Sequence, residues 1–297
     1  MTSWAVSALR LARPDLDVTW AVQERCAPVI DTGRLTNSLH VFPREKWKRQ
    51  RWSPRTWREQ IVAYTSLRDR GFDIGFDFQG HSKTALCLFL AGCKRSLAAR
   101  ATDSFAKKLV TPVQLCPQGP HEVQLAHALV SVAFETGLPE FPLMPEVCHS
   151  DDIKPADVVV QTGAGEEDKR YPIESWRTVV ERLLERGYSV TAIGGANDPR
   201  MAVSGVNDLV GKLDLIESMG IIKDSRVHLS GDTGTAHIAA AFGVKTLTLF
   251  GRTDPSRFRP WGERGTVLKS RTVSEVCPDQ VVEETLALIG GKVADPR

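Results

Sequence analysis

Apolar positions along the chain follow two recurring patterns. Short apolar runs, most of them ending in glycine turns, are "DVTWAV" (17–22), "FDIGFDFQG" (72–80), "DVVVQTGAG" (157–165), "YSVTAIGG" (188–195), "RVHLSGDTG" (226–234) and "KTLTLFG" (245–251). These predict strands. Between them lie longer stretches with apolar residues at helical spacing: 82–92, 121–137, 172–187, 213–225, 235–243 and 278–291. Pro172 stands near the start of one and Gly187 at its end, the usual asymmetry of helix punctuation. Alternating strands and helices predict an α/β protein with parallel sheets covered by helices. Such sheets bind ligands at the carboxyl ends of their strands.

A proline-dense segment, 138–157, interrupts the alternation and reads as a linker. It divides the chain into 1–145 and 146–277, with a helix and tail at 278–297. The composition, 42% hydrophobic and 25% charged, is that of a soluble globular protein. A net charge of +2 does not argue for nucleic acid. The expectation is a cytoplasmic protein with neither signal peptide nor membrane span. Six cysteines (26, 87, 93, 116, 148, 277) form no CxxC pair, so reduced thiols are expected rather than structural zinc.

The chemistry concentrates in "SGDTGTAHIAAAFGVKTLTLFGRTDP" (230–255). Asp-Thr-Gly suggests an aspartic protease, but that chemistry needs two such carboxylates in an all-β setting. Here the motif occurs once, between a strand and an alanine-rich helix. Thr233, Gly234 and Thr235 therefore stand at a helix N-terminus, where unpaired backbone N–H groups favour an anion. Asp232 suits ligand hydroxyls or the turn itself. The competing reading is a plain N-cap before a core helix. A second turn, "QTGAGEEDKRYP" (161–172), offers small residues and Lys169 to a phosphate, or is a solvated loop. It is not a Walker A loop, and no GxGxxG is present. The run "REKWKRQRWSPRTWR" (44–58) carries seven Lys/Arg and three Trp. It reads either as a solvated face with half-packed tryptophans or as a patch for an anionic glycolipid beside a membrane. Near-neutral total charge argues against nucleic acid as its partner.

The 230–255 segment, together with "EDKRYPIESW" (167–176) and "LVGKLDLIESMGIIKDS" (209–225), resembles glycosyltransferase family 9, the lipopolysaccharide heptosyltransferases. The likeness extends to 72–92 and 8–31 and so spans nearly the whole chain. It implies a GT-B fold: two Rossmann-like domains facing across a cleft. It also implies transfer of heptose from ADP-heptose to an inner-core lipopolysaccharide sugar, with inversion, no metal and no further cofactor. By matching motifs, Lys169 and the Gly163-Ala164 turn contact the pyrophosphate, as does the backbone of Thr233, Gly234 and Thr235. Asp232 binds sugar hydroxyls, Leu213 packs the adenine, and His237 matches a family position with either a packing or a ligand role. The family's basic acceptor segment corresponds to 44–58, here with Arg49, Arg51 and Arg55.

This assignment suits the chemistry. The leaving diphosphate gains negative charge, which Lys169 and helix amides are placed to stabilise. The acceptor hydroxyl needs a base. The family carries it on a Gly-Asp turn after a first strand, ahead of the helix matched by 3–14. By this resemblance the sequence starts within that helix and is expected to lack about fifteen residues, the strand and its turn, and with them the expected base. Two other readings stay open: a family member that binds a nucleotide sugar without transferring it, and a nucleotide-sugar epimerase-like enzyme.

Overall fold

The computed structural model describes residues 1–30, 33–115, 119–147 and 153–290. Cys116 and Cys148 lie outside these, as do part of the proline-dense segment and the end of the tail. The chain forms two compact units, one of Met1–Pro145 and one from Glu146 onward.

The first unit begins with α1 (Thr2–Ala12), β1 (Thr19–Gln23), β2 (Ser38–Phe42), α2 (Arg44–Arg49) and α3 (Pro54–Thr65). β3 (Ile74–Asp77), α4 (Ser82–Leu90), β4 (Arg95–Ala98), α5 (Ala106–Leu109), β5 (Thr111–Pro112) and α6 (Glu122–Ser131) follow. Its strands form two parallel sheets, β1-β2 and β3-β4-β5. Ala5 and Leu9 of α1 pack on Ala126 and Val130 of α6. Trp47, Tyr64, Leu67, Cys87 and Ala91 form a second core that joins α2, α3 and α4.

The turn after β3 is built by Asp77. Its carboxylate accepts from the Gln79 and Gly80 amides at 3.0 and 2.9 Å and from the Thr84 hydroxyl at 2.8 Å. Gly80 has φ +70, and a Cβ there would lie 2.0 Å from the Arg100 carbonyl oxygen. α6 stops at Ser131, short of the predicted end at Gly137. There the Ser131 hydroxyl bonds back to the His127 carbonyl, and the His127 ring meets the Thr136 carbonyl and hydroxyl. These side-chain bonds fold 132–136 back against the helix instead of extending it.

The second unit contains β6 (Val158–Gln161), α7 (Ile173–Glu185), β7 (Val190–Ile193), β8 (Asn207–Asp208) and α8 (Leu215–Lys223). β9 (Val227–Gly231), α9 (Gly234–Ala241), β10 (Lys245–Phe250), α10 (Pro255–Phe258), β11 (Gly265–Lys269) and α11 (Pro278–Gly290) complete it. All six strands are parallel, in the order β11-β10-β9-β6-β7-β8. One face packs Val158, Val160, Leu229, Leu247 and Leu249 against Trp176, Val180 and Leu183 of α7 and Val281, Val282 and Ile289 of α11. The helix at 278–290 thus belongs to this unit's core.

The alternate positions of β9 and β10 are polar yet buried: His228, Ser230, Thr246 and Thr248. They point toward α9, whose Ala236 and Ala239 let the helix lie close to the sheet. Asp214 caps α8 by accepting from the Glu217 amide at 2.8 Å while the Glu217 side chain accepts from the Asp214 amide. That capping box starts the helix at Leu215 and leaves Leu213 in the preceding loop.

Candidate functional site

In the second sheet the chain runs outward from β6 through β7 to β8, then returns to place β9 on the other side of β6. This reversal is the topological switch point, where open parallel sheets form their binding crevice. The two turns singled out in the sequence leave the carboxyl ends of these two strands.

Gly231 determines how they meet. A Cβ at Gly231 would lie 2.6 Å from the Lys169 carbonyl oxygen, so only glycine lets the end of β9 pass that backbone. The resulting approach sets Lys169 Nζ 3.1 Å from Asp232 Oδ2 and 3.7 Å from Glu166 Oε1. Burial works to lower the Lys169 pKa, but the Asp232 hydrogen bond and the charges of Asp232, Glu166 and Asp168 outweigh it and hold it above its ordinary value. Lys169 is therefore a fixed cation at the switch point. Gly231→Ala should lower stability by about 1–3 kcal/mol through overpacking and weaken ADP binding along with it. Urea denaturation and ADP titration read the two effects, and a variant that matches the parent in both would remove Gly231 from this role.

The N-terminus of α9 is open. Thr233 is the N-cap residue by backbone conformation, but its side chain makes no capping bond. Its hydroxyl instead lies 2.9 Å from the Thr235 hydroxyl, which lies 3.1 Å from His228 Nε2. A plain N-cap would spend the Thr233 oxygen on the helix's own amides. Here those amides keep their capacity for an anion. A Cβ on Gly234 would meet nothing within 4 Å, so the backbone is accessible at that point. His228 is fully buried, and burial pushes its pKa down to about 3, so the ring is neutral at working pH.

The Gly163-Ala164 turn is more acidic than its sequence suggests. An added Cβ at Gly163 would lie 1.9–2.1 Å from the carboxyl atoms of Asp198, so the glycine makes room for that acid. Asp198 accepts from the Gly195 amide at 2.7 Å and from Gln161 Nε2 at 3.3 Å. Arg170 offsets part of this charge, donating to the Ala164 carbonyl at 3.2 Å with Asp198 4.0 Å away. Leu213 is half-buried in a loop set by Gly211, whose amide donates to the Gly194 carbonyl. His237 lies half-buried on α9.

Arg49, Arg51 and Arg55 belong to the first unit and are exposed. Arg55 pairs with Glu59 at 3.3 Å, whereas Arg49 and Arg51 make no ion pair among the described residues. Lys83 joins this group. Its pKa is lowered first by the charge of Arg44, then by burial and by the charge of Arg51. Sequence reading missed Lys83, Gly231, Asp198 and His228. A strand reading expects apolar residues at the position of His228, and the other three act through residues distant in sequence.

Known proteins share this fold. The family model "Glycosyltransferase family 9 (heptosyltransferase)" matches residues 63–286. Lipopolysaccharide heptosyltransferase 1 of Pseudomonas aeruginosa is 25% identical over 304 residues, covering 96% of this chain and 85% of that protein. The solved structure of E. coli heptosyltransferase WaaC with ADP superposes with a TM-score of 0.77 at 20% identity, covering 96% of this chain and 95% of that one. Its structure with ADP-2-deoxy-2-fluoro heptose gives 0.76 at 19% identity, covering 95% and 94%. At these identities the superpositions establish the fold, which is α/β of the GT-B class. With three quarters of its length inside the family model, the chain belongs to glycosyltransferase family 9, the heptosyltransferases.

Proposed function

We propose that the protein transfers a heptose from ADP-heptose to an inner-core lipopolysaccharide acceptor, inverting the anomeric carbon without a metal. The observation that carries this reading is the Lys169–Asp232 pair beside the uncapped start of α9 at the switch point. Lys169 and the backbone amides of Thr233, Gly234 and Thr235 hold the diphosphate, together with the Gly163-Ala164 turn. Asp232, already oriented by Lys169, takes donor sugar hydroxyls, and Leu213 packs the adenine. His237 stands one turn into the same helix. In the reaction the bond from the anomeric carbon to the diphosphate oxygen breaks. A new bond forms to the acceptor oxygen on the opposite face, and the acceptor proton passes to a base, which with the residues placed here is solvent water. The departing ADP carries the growing charge, which Lys169 and the α9 amides stabilise. Asp77 is not that base, because its carboxylate is committed to its own turn.

The donor partner is thus a nucleotide sugar, and the acceptor an anionic glycolipid bound through Arg49, Arg51 and Arg55. The protein works at the cytoplasmic face of the inner membrane. Among the described residues no helix is long and apolar enough to cross a membrane, which suits peripheral attachment.

The test is incubation with ADP-heptose and a lipopolysaccharide-core acceptor, following ADP release and the anomeric configuration of the product. Inverted heptosyl product is expected. Replacing Arg49, Arg51 and Arg55 together by alanine should raise the acceptor KM and flatten its salt dependence, leaving donor affinity unchanged. ADP binding without transfer would sink the transferase reading and leave a nucleotide-sugar-binding protein.

A further inference from the structure

The three tryptophans of the basic segment have separate fates. Trp47 is buried at 3% exposure, packed against Phe42 and Tyr64. Trp52 is 81% exposed and Trp57 53%. On α3, Ile61 at 47% and Val62 at 57% continue the exposed apolar surface. Trp57 and Ile61 are four residues apart, as are Arg58 and Val62, so they share the solvent face of the helix. The turn that presents Trp52 is fixed: Ser53 donates to the Gln50 carbonyl and Trp57 Nε1 to the Arg51 carbonyl, each at 3.0 Å. The Arg51 guanidinium lies over the Trp52 ring at 5.3 Å.

The surroundings are strongly cationic. Residues 44–59 hold seven Lys/Arg against Glu45 and Glu59, a net of five positive charges. Glu59 is already held by Lys46 and Arg55. Lys48, Arg49, Arg51 and Arg58 make no ion pair among the described residues. The crowding of Lys83 by Arg44 and Arg51 extends this field onto α4.

We infer that α3 and the 50–53 turn form a lipid-contacting face. Trp52, Trp57, Ile61 and Val62 enter the headgroup–acyl boundary of an anionic bilayer, and the flanking arginines and Lys48 hold its phosphates. Exposed aromatic and aliphatic side chains ringed by cations are the signature of an interfacial helix. Each cation near an anionic surface adds attraction that salt screens. The charge also chooses among occupants. A second copy of this chain would set five positive charges against five. A nucleic acid would satisfy the cations but offers nothing to Ile61 and Val62. The inference deepens the glycolipid-acceptor reading, since a lipid-borne acceptor lies in such a surface.

The test uses the full chain with vesicles of phosphatidylcholine alone or mixed with phosphatidylglycerol, with no sugar substrate present. Co-sedimentation and quenching of tryptophan emission by brominated lipid are the readouts. Binding to the anionic vesicles only, weakened by salt, is expected. Trp52→Ser should lower the partition coefficient, and so should Ile61→Ser with Val62→Ser. The three together should lower it about tenfold or more, the order expected when that much apolar contact is lost. ADP affinity and melting temperature, which should stay at the parent values, show that the variants fold. Trp57 is left in place because it ties the turn. Three results would overturn the inference: no binding to anionic vesicles, binding indifferent to these replacements, or self-association in solution that Trp52→Ser abolishes. Transfer to a delipidated, water-soluble acceptor should survive the replacements. If the parent also fails to transfer to that acceptor, it is the transferase reading that falls, and vesicle binding is judged separately.

Discussion

Replacing Lys169 with alanine is expected to weaken ADP binding about 10- to 150-fold and to slow transfer at least as much. A charge-assisted hydrogen bond to phosphate contributes about 1.5–3 kcal/mol, and every 1.4 kcal/mol is a factor of ten. Two structural facts place the effect at the upper end. Lys169 is half-buried, so its charge is less screened than that of a surface lysine. Its loss also leaves the largely buried Asp232 carboxylate without its 3.1 Å partner, beside the helix terminus meant for an anion. The variant thus removes an attraction and exposes a repulsion. Glu166→Ala is the control, since Glu166 is exposed and lies at 3.7 Å; its ADP affinity should stay close to that of the parent. Titration calorimetry with ADP decides the binding effect and steady-state kinetics the catalytic one. If transfer slows while ADP affinity holds, Lys169 acts only on the departing diphosphate; if neither changes, it is outside the site.

The second large effect is on stability in acid. His228 is fully buried with its pKa down at about 3, whereas in the unfolded chain it titrates near 6.5. Above pH 6.5 the ring is neutral in both states and contributes no pH dependence. Between about 6.5 and about 3 the unfolded chain takes up a proton that the native state refuses, so stability falls as pH falls. The slope approaches about 1.4 kcal/mol per pH unit. His228→Gln keeps a polar group near the Thr235 hydroxyl but cannot titrate. Urea denaturation of parent and variant at pH 7.5, 6, 5 and 4 should give curves that run parallel above pH 6.5. Below it they should draw apart, the parent losing about 2 kcal/mol more by pH 5. Asp15 and Asp103, whose carboxyls are held near 2 by hydrogen bonds from Arg13 and Ser82, weaken in acid too, but equally in both proteins, and so cancel. Equal slopes throughout would mean that a proton reaches His228 without unfolding. The same variant reports on the Thr233–Thr235 hydroxyl pair, because the ring is the fixed end of that chain.

The chain's local grammar was legible without tertiary information. Runs such as "VVV" (158–160) and "TLTLF" (246–250) are apolar or β-branched throughout because both faces of a parallel sheet are covered. Glycine after a strand and alanine in the next helix marked the Asp232–Thr235 turn. Backbone hydrogen bonds of helices reach only four residues and side chains of strands alternate at two, so a short window of sequence contains that information. The helix boundary at Ser131 escaped because its cause is a set of side-chain bonds rather than an apolar period.

What only the tertiary structure decided is which of these local features meet. β6 and β9 are neighbours in the sheet, yet two strands and two helices separate them along the chain. No periodicity predicts that Gly231 admits the Lys169 backbone, or that Lys169 consequently grips Asp232. Asp198 is likewise a loop acid in the sequence and becomes the reason Gly163 is a glycine. His228 sits where strand patterning expects an apolar residue, and its place is explained by Thr235 across the turn. The three tryptophans of 44–58 are equivalent as letters. Packing alone put Trp47 inside and left Trp52 and Trp57 in solvent. Sequence fixes short-range preference through backbone geometry and side-chain polarity, whereas contacts between distant segments depend on strand order and close packing, which exist only once the sheet has formed.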